Sequence, residues 1–293
     1  MRTPVDFLRR TLWASASLGL ALSLTVVGCT EEPPKPQPPA PATPEPNATA
    51  KEFAAYTQLI ANNSDEFTGG ALDQQKWTFE VQDDWFNNEK QATTNSPNNL
   101  YLTGGEMHIQ ARREQLRNKQ FTSARIVSKN KMTYGYGRLD VRAKLPKGQG
   151  IWPAIWMLGL NDTQVGWPAC GEIDIMELRG SVPNVNVSTV HYGANTASRQ
   201  YKGTTWRLPS GDFSEDFHTF SLIRSKDQLR WFVDGTETFS VTPGVVSPYP
   251  FNNPFYLILN VAVGGDFDGD PAASEPFPKE MVVDYVRFYQ YPQ

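Results

Sequence analysis

The sequence predicts an all-β domain made of two packed antiparallel sheets, on three observations. From about residue 65 onward, short stretches alternate apolar and polar residues, the period of a strand with one buried face. Nowhere in that region does a helical period persist. Most of the chain's 22 glycines and 23 prolines lie in that region and supply turns between strands, and an aromatic share of 12% supplies bulky side chains for a core between sheets.

The chain begins with a segment that belongs to no fold. Arg2, Arg9 and Arg10 precede a mostly apolar run over 12–27, too short for a spanning helix and flanked as a secretory signal is, so residues 1–28 are expected to be a signal peptide. Val26-Val27-Gly28-Cys29 resembles a bacterial lipobox, which implies cleavage before Cys29 and acylation of its sulfur. With Thr30 following Cys29, the resemblance implies export to an outer membrane or the cell surface, the lipid being the sole membrane attachment. Residues 30–50 carry eight prolines among Glu, Ala, Thr and Gln and cannot bury a core. They read as a stiff spacer. Residues 51–63 are either a short helix or more of it, so the tether is taken as 29–63 and the folded domain as 64–293.

Composition narrows the function classes. A net charge of −4 gives no reason to expect nucleic acid or acidic lipid as a partner. The three histidines, His108, His191 and His218, are too dispersed for a zinc motif, and neither a P-loop nor a G-x-S-x-G elbow is present. Cys29 and Cys170 are the two cysteines, so no intramolecular disulfide is expected; Cys170 reads as a buried structural thiol.

Strands are expected, in order, at 107–111, 124–128, 137–143, 151–158, 186–191, 217–223, 229–234, 256–263 and 281–289, each by its alternation. Asp234-Gly235 is a hairpin turn signal. So many short strands with turn clusters between them indicate a β-sandwich.

One strand carries the chemistry. In Glu172-Ile173-Asp174-Ile175-Met176-Glu177, alternation puts Glu172 and Asp174 on one face and Ile173 and Ile175 on the other. Unbroken alternation would bury Glu177 with the isoleucines, but one extra residue at Ile175-Met176, a β-bulge, returns it to the acidic face. Three carboxylates side by side raise each other's pKa and weaken the fold, a cost that points to function. A retaining glycosidase requires such a pair, one acid as nucleophile and one as proton donor and then base. An acidic, solvent-facing strand is the plain alternative.

These residues resemble the E-I-D-x-x-E signature of glycoside hydrolase family sixteen, with Met176 in the extra position of its bulged, laminarinase-like branch. Residues 144–158, 260–265 and 283–287 continue the resemblance, which covers about 64–291. It implies a jelly-roll sandwich of the concanavalin A type with a concave substrate cleft, in a monomer that needs no cofactor for catalysis. It implies a retaining endo-β-1,3-glucanase, acting on β-1,3- or mixed β-1,3-1,4-glucan, with Glu172 as nucleophile, Glu177 as acid/base, and Asp174 between them, its hydrogen bond and charge keeping Glu177 protonated while orienting Glu172.

Trp152, Trp156 and Trp167 are candidate platforms for the C–H faces of sugar rings, with core packing as the alternative. Trp152 and Trp156 are an even number of residues apart and can share a face. Trp85, Asn88 and Glu89 resemble the segment lining the family's donor side, and His191 resembles its cleft histidine. Arg125 either contacts substrate or pairs with an acid. Phe267 stands where close relatives often carry a tryptophan. Asp284, with backbone oxygens near Glu66 and Gly105, falls where many members hold a structural calcium ion. Two other readings stay open: hydrolysis of agarose or carrageenan, for which Arg112, Arg113 and Arg117 offer cationic groups, and a surface lectin without chemistry.

Overall fold

The computed structural model of the protein describes residues 48–291; the expected signal segment, Cys29 and most of the proline-rich tether lie outside them. The strands in chain order are β1 (Gln58–Leu59), β2 (Thr78–Phe79), β3 (Gln91–Thr93), β4 (Leu100–Thr103), β5 (Glu106–Ala111), β6 (Phe121–Ser123), β7 (Arg125–Val127), β8 (Gly137–Lys144) and β9 (Ile151–Gly159). They continue as β10 (Glu172–Leu178), β11 (Val185–Tyr192), β12 (Gln200–Arg207), β13 (His218–Ser225), β14 (Gln228–Val233), β15 (Thr236–Val241), β16 (Phe255–Val263) and β17 (Lys279–Gln290).

Two large antiparallel sheets result, as the alternation predicts. The outer sheet runs β15-β14-β13-β8-β17-β5-β4, with β1 added to β17; the active sheet runs β12-β11-β10-β9-β16-β7-β2. A short parallel pair, β3 and β6, stands apart. Side chains from the two inner faces close the core, among them Trp231, Phe220 and Val283 from the outer sheet and Ile155, Ile173, Met176 and Leu257 from the active sheet. Asp234 and Gly235 turn β14 into β15 with φ of 50° and 76°, the left-handed pair a two-residue hairpin demands.

The domain begins before residue 64. Helix α1 (Ala48–Ala55) leads into β1, which pairs with Tyr289 and Gln290 of β17. Phe53 packs tilted against Phe232 with ring centroids 4.8 Å apart, and Tyr56 buries against Ile223 and Phe232 on the far face of the outer sheet. The Arg138 guanidinium lies between the rings of Phe53 and Tyr289, at 4.3 and 4.4 Å. Phe53 and Tyr56 anchor a segment expected to be tether. Among the described residues, no helix is long and apolar enough to cross a membrane.

Candidate active site

The expected bulge lies in β10. Asp174 stands opposite Thr189 and Glu177 opposite Val187, so three steps of β10 match two of β11; on the other edge Asp174 faces Trp156 and Met176 faces Ile155. Ile173, Ile175 and Met176 are buried, and Glu172, Asp174 and Glu177 share the opposite face. A bulge takes carbonyls out of the ladder, and buried carbonyls need other donors. Here Trp231 Nε1, reaching across from β14, donates to Asp174 O at 3.0 Å, and Ser188 Oγ donates to Ile175 O at 3.0 Å. Neither residue carries a sequence signal for this role, because the partnership exists only once two sheets are packed.

Register fixes what surrounds the acids. Opposite residues of neighbouring strands share a face, so Glu177 lies in a row with Val187, Ala154, Asn260 and Arg125, while Glu172 lies with His191 and Leu158. Trp152 and Trp156 occupy that face of β9, as their spacing predicts.

The tryptophans do more than offer flat surfaces. Trp167 Nε1 donates to Glu172 Oε2 at 2.8 Å, Trp152 Nε1 to Glu177 Oε1 at 3.0 Å, and Trp156 Nε1 to Asn260 Oδ1 at 2.8 Å. Phe267 stacks on Trp152 at 4.7 Å, and the Arg179 guanidinium lies 4.1 Å from the Phe267 ring.

Arg125 pairs with an acid, one of its two readings. Its Nε donates to Glu80 Oε2 at 2.5 Å, and its guanidinium sits 4.3 Å from the ring of Trp85 and 4.7 Å from that of Trp156. Asn88 donates to Asp266 Oδ1 at 2.8 Å, and Glu89 accepts from Gln91 Nε2 at 2.6 Å. Lys90 N donates to Val263 O and Asp266 N to Asn87 O, which pins this segment to the end of β16.

Burial sets the ionisation of the trio. It pushes Glu172 up to about 7, against the Trp167 hydrogen bond and the positive charges of Arg125 and Arg199, which favour the carboxylate. Burial, then the charge of Glu172, pushes Glu177 up to about 7 against the Trp152 hydrogen bond and the positive charge of Arg179. Asp174 is raised well above the usual carboxylate range by burial and by both glutamates. Of the two neighbouring acids, it is the charge of Glu172 that raises Glu177.

His191 Nε2 lies 3.5 Å from Asp174 Oδ2 and 3.7 Å from Glu172 Oε1. Burial, aided by Arg199, lowers it to about 4, so the imidazole facing the acids is neutral. The Cys170 thiol is buried, and burial raises it to about 11, far from a reactive thiolate.

The calcium candidates meet on the outer sheet. Met107 pairs with Val283 and Asp65 with Val286, so the chain at Gly105 and at Glu66 approaches from two sides the irregularity of β17 that contains Asp284. The side chains themselves are engaged: Arg142 Nη1 donates to Asp284 Oδ2 at 2.5 Å, and Arg287 holds both oxygens of Glu66 at 2.7 and 2.8 Å. A cation would thus have backbone oxygens and the remaining Asp284 oxygen as donors, and Arg142 as a like-charged neighbour.

A sandwich with two raised glutamates on one bulged strand, each held by an indole N–H, defines a carbohydrate-cleaving hydrolase of the two-carboxyl kind. Residues 81–287 match the glycosyl hydrolases family 16, and the chain belongs to that family. Among similar proteins, "Glucan endo-1,3-beta-glucosidase A1" of Niallia circulans is 40% identical over 77% of this chain, which spans 37% of that protein's length. "Glucan endo-1,3-beta-glucosidase" of Cryptopygus antarcticus is 40% identical over 80% of this chain and 93% of its own. The laminarinase catalytic domain of Thermotoga maritima superposes with a TM-score of 0.75 at 38% identity, covering 81% of this chain and all of that one.

Proposed function

We propose that the protein is a retaining endo-β-1,3-glucanase that also accepts mixed β-1,3-1,4-glucan. The observation that carries this is the pair of indole-held carboxyls: Glu172 with Trp167 and Glu177 with Trp152, on one face of one strand. The names of the similar proteins supply the polymer.

The chemistry follows from the charges. Glu172 is the member that ionises, because burial alone raises it, whereas Glu177 is raised by burial and by the charge of Glu172, which holds the proton on it. The Glu172 carboxylate attacks the anomeric carbon while Glu177 passes its proton to the departing glycosidic oxygen, leaving a glycosyl ester on Glu172. Esterification removes the negative charge of Glu172. Glu177, relieved of it, is now the stronger acid and persists as a carboxylate, ready to take a proton from water as that water opens the ester.

A lectin has no use for three buried acids that destabilise the sheet. The galactan reading loses its cationic groups: Arg117 is paired with Asp83, Arg112 with Gln110 and Glu114, and Arg113 donates to the carbonyl of Ala272 while stacking on Phe121 and Phe277. Incubating the soluble domain with laminarin, curdlan, lichenan, agarose and carrageenan and identifying the products tests the choice. Short β-1,3-oligosaccharides are expected; release from agarose alone overturns the substrate and leaves the mechanism.

We further propose that Cys29 carries lipid and that the proline-rich segment holds a monomeric domain away from an outer membrane or cell surface. Labelled palmitate should enter the protein in cells and be lost in Cys29→Ser. A calcium ion beside Asp284 would be structural and takes no part in the reaction.

A further inference from the structure

We propose that Tyr201 is a sugar platform on the leaving-group side of the cleft, carrying the second glucose unit beyond the bond that breaks. The inference rests on the glucanase reading above and concerns the half of the substrate that departs.

Tyr201 belongs to β12, the edge strand of the active sheet. It stands directly opposite His191, and His191 stands directly opposite Glu172, so the three side chains form one row on the cleft face. Ring centroids are 6.1 Å apart between Trp167 and His191 and 6.0 Å apart between His191 and Tyr201. Flat groups therefore lead from the partner of the nucleophile outward to the sheet edge. Tyr201 ends the series with 66% of its surface exposed, where it contributes little to the core. Gly203, next along the same face and opposite Thr189, presents no side chain; an added Cβ would come within 2.8 Å of Ser188 O. The floor beside the phenol is bare.

The two flanks of β10 differ in a way that assigns direction. Toward β9, β16 and β7 the face carries Trp156, Asn260 and Arg125 tied together by hydrogen bonds and stacking. That flank suits the half that stays attached to Glu172. Toward β12 the strand is exposed at most positions, as suits a half that must leave before water enters. Strands lie about 4.8 Å apart, close to the width of one sugar ring. A chain crossing them puts its first departing unit over β11 and its second over β12, against Tyr201. An aromatic face covers the C–H face of a sugar without fixing a hydrogen-bond pattern, and such contacts are worth about 1 kcal/mol.

The test compares two substrates on wild type, Tyr201→Ala and Tyr201→Phe. In a β-1,3-gluco-oligosaccharide the leaving half is sugar. In the β-fluoride of the same donor it is fluoride, which cannot touch Tyr201. For Tyr201→Ala, the loss in kcat/KM on the oligosaccharide is expected to exceed that on the fluoride by roughly fivefold, with transfer to added β-1,3-linked disaccharide reduced in parallel. Tyr201→Phe should recover most of both. Equal losses on the two substrates, or no loss on either, overturn the platform. A wild type inactive on both overturns the glucanase reading first, and the platform with it.

Discussion

Trp167 Nε1 reaches Glu172 Oε2 at 2.8 Å from a loop outside the strand that carries the acid. Its counterpart, Trp152, reaches Glu177 from the neighbouring strand. A donor aimed at a carboxyl oxygen favours the ionised form, so each indole works against the burial that raises its glutamate. Cations favour both carboxylates, Arg125 and Arg199 that of Glu172 and Arg179 that of Glu177, so what separates the two is the charge of Glu172, which raises Glu177.

Replacing Trp167 by Phe keeps the ring and removes the donor. Glu172 then holds its proton to higher pH, so the acidic limb of the pH profile of kcat/KM moves up. Activity below pH 7 falls about 10- to 100-fold, the worth of a hydrogen bond to a charged group. Trp152→Phe should move the alkaline limb up instead, since Glu177 keeps its proton longer. Profiles with the two limbs unmoved would break the link between indoles and ionisation.

Glu172→Gln and Glu177→Gln should each abolish hydrolysis with the fold intact by circular dichroism. The two differ with a substrate whose leaving group needs no proton. Glu177→Ala should still form the glycosyl-enzyme from an aryl glycoside and release a β-glycosyl azide when azide is added, whereas Glu172→Ala should not. Near-normal turnover of laminarin by either Gln variant would refute the roles.

The three acids also set how stability responds to pH. Their folded-state values lie above the unfolded ones, so the folded protein binds more protons between about pH 4.5 and 7. Stability is greatest below that window and falls as pH rises through it. Asp174→Asn should flatten the slope in thermal unfolding and raise the midpoint at pH 8. The raised Asp174 favours its protonated form, which an amide can replace as a donor: activity should fall roughly tenfold for Asn and a hundredfold or more for Ala. Equal losses would mean that a charged Asp174 is required.

Trp231→Phe, in the other sheet, should lower stability by about 1–3 kcal/mol through the orphaned Asp174 carbonyl. It should also lower kcat with little change in KM, since the bulge, and not the sugar contacts, is loosened. Measured kinetics matching wild type would confine Trp231 to packing.

How much of this was legible depended on where the partners lie. The acidic face of β10 follows from six consecutive residues, and the nine alternating stretches correspond to observed strands because each buries one face in a single core. β12 and β15 escaped because edge strands reading QYKGTTWR and TETFSV bury little and carry no alternation of polarity. Tyr201 was missed with them. The dual engagement of Arg125 was not legible, since Glu80, Trp85 and Trp156 lie 31 to 45 residues away in sequence.

The hydrogen bond from Trp231 to Asp174 O also bears on how this strand can slip. A shift of β10 by one residue against its neighbours would turn Glu172 and Asp174 inward and strand both Trp231 and Ser188 without acceptors. The phase of the three acids is therefore latched from behind, by residues that never meet the polymer. Loops around the groove can be rewritten for new glycans while that latch stays closed.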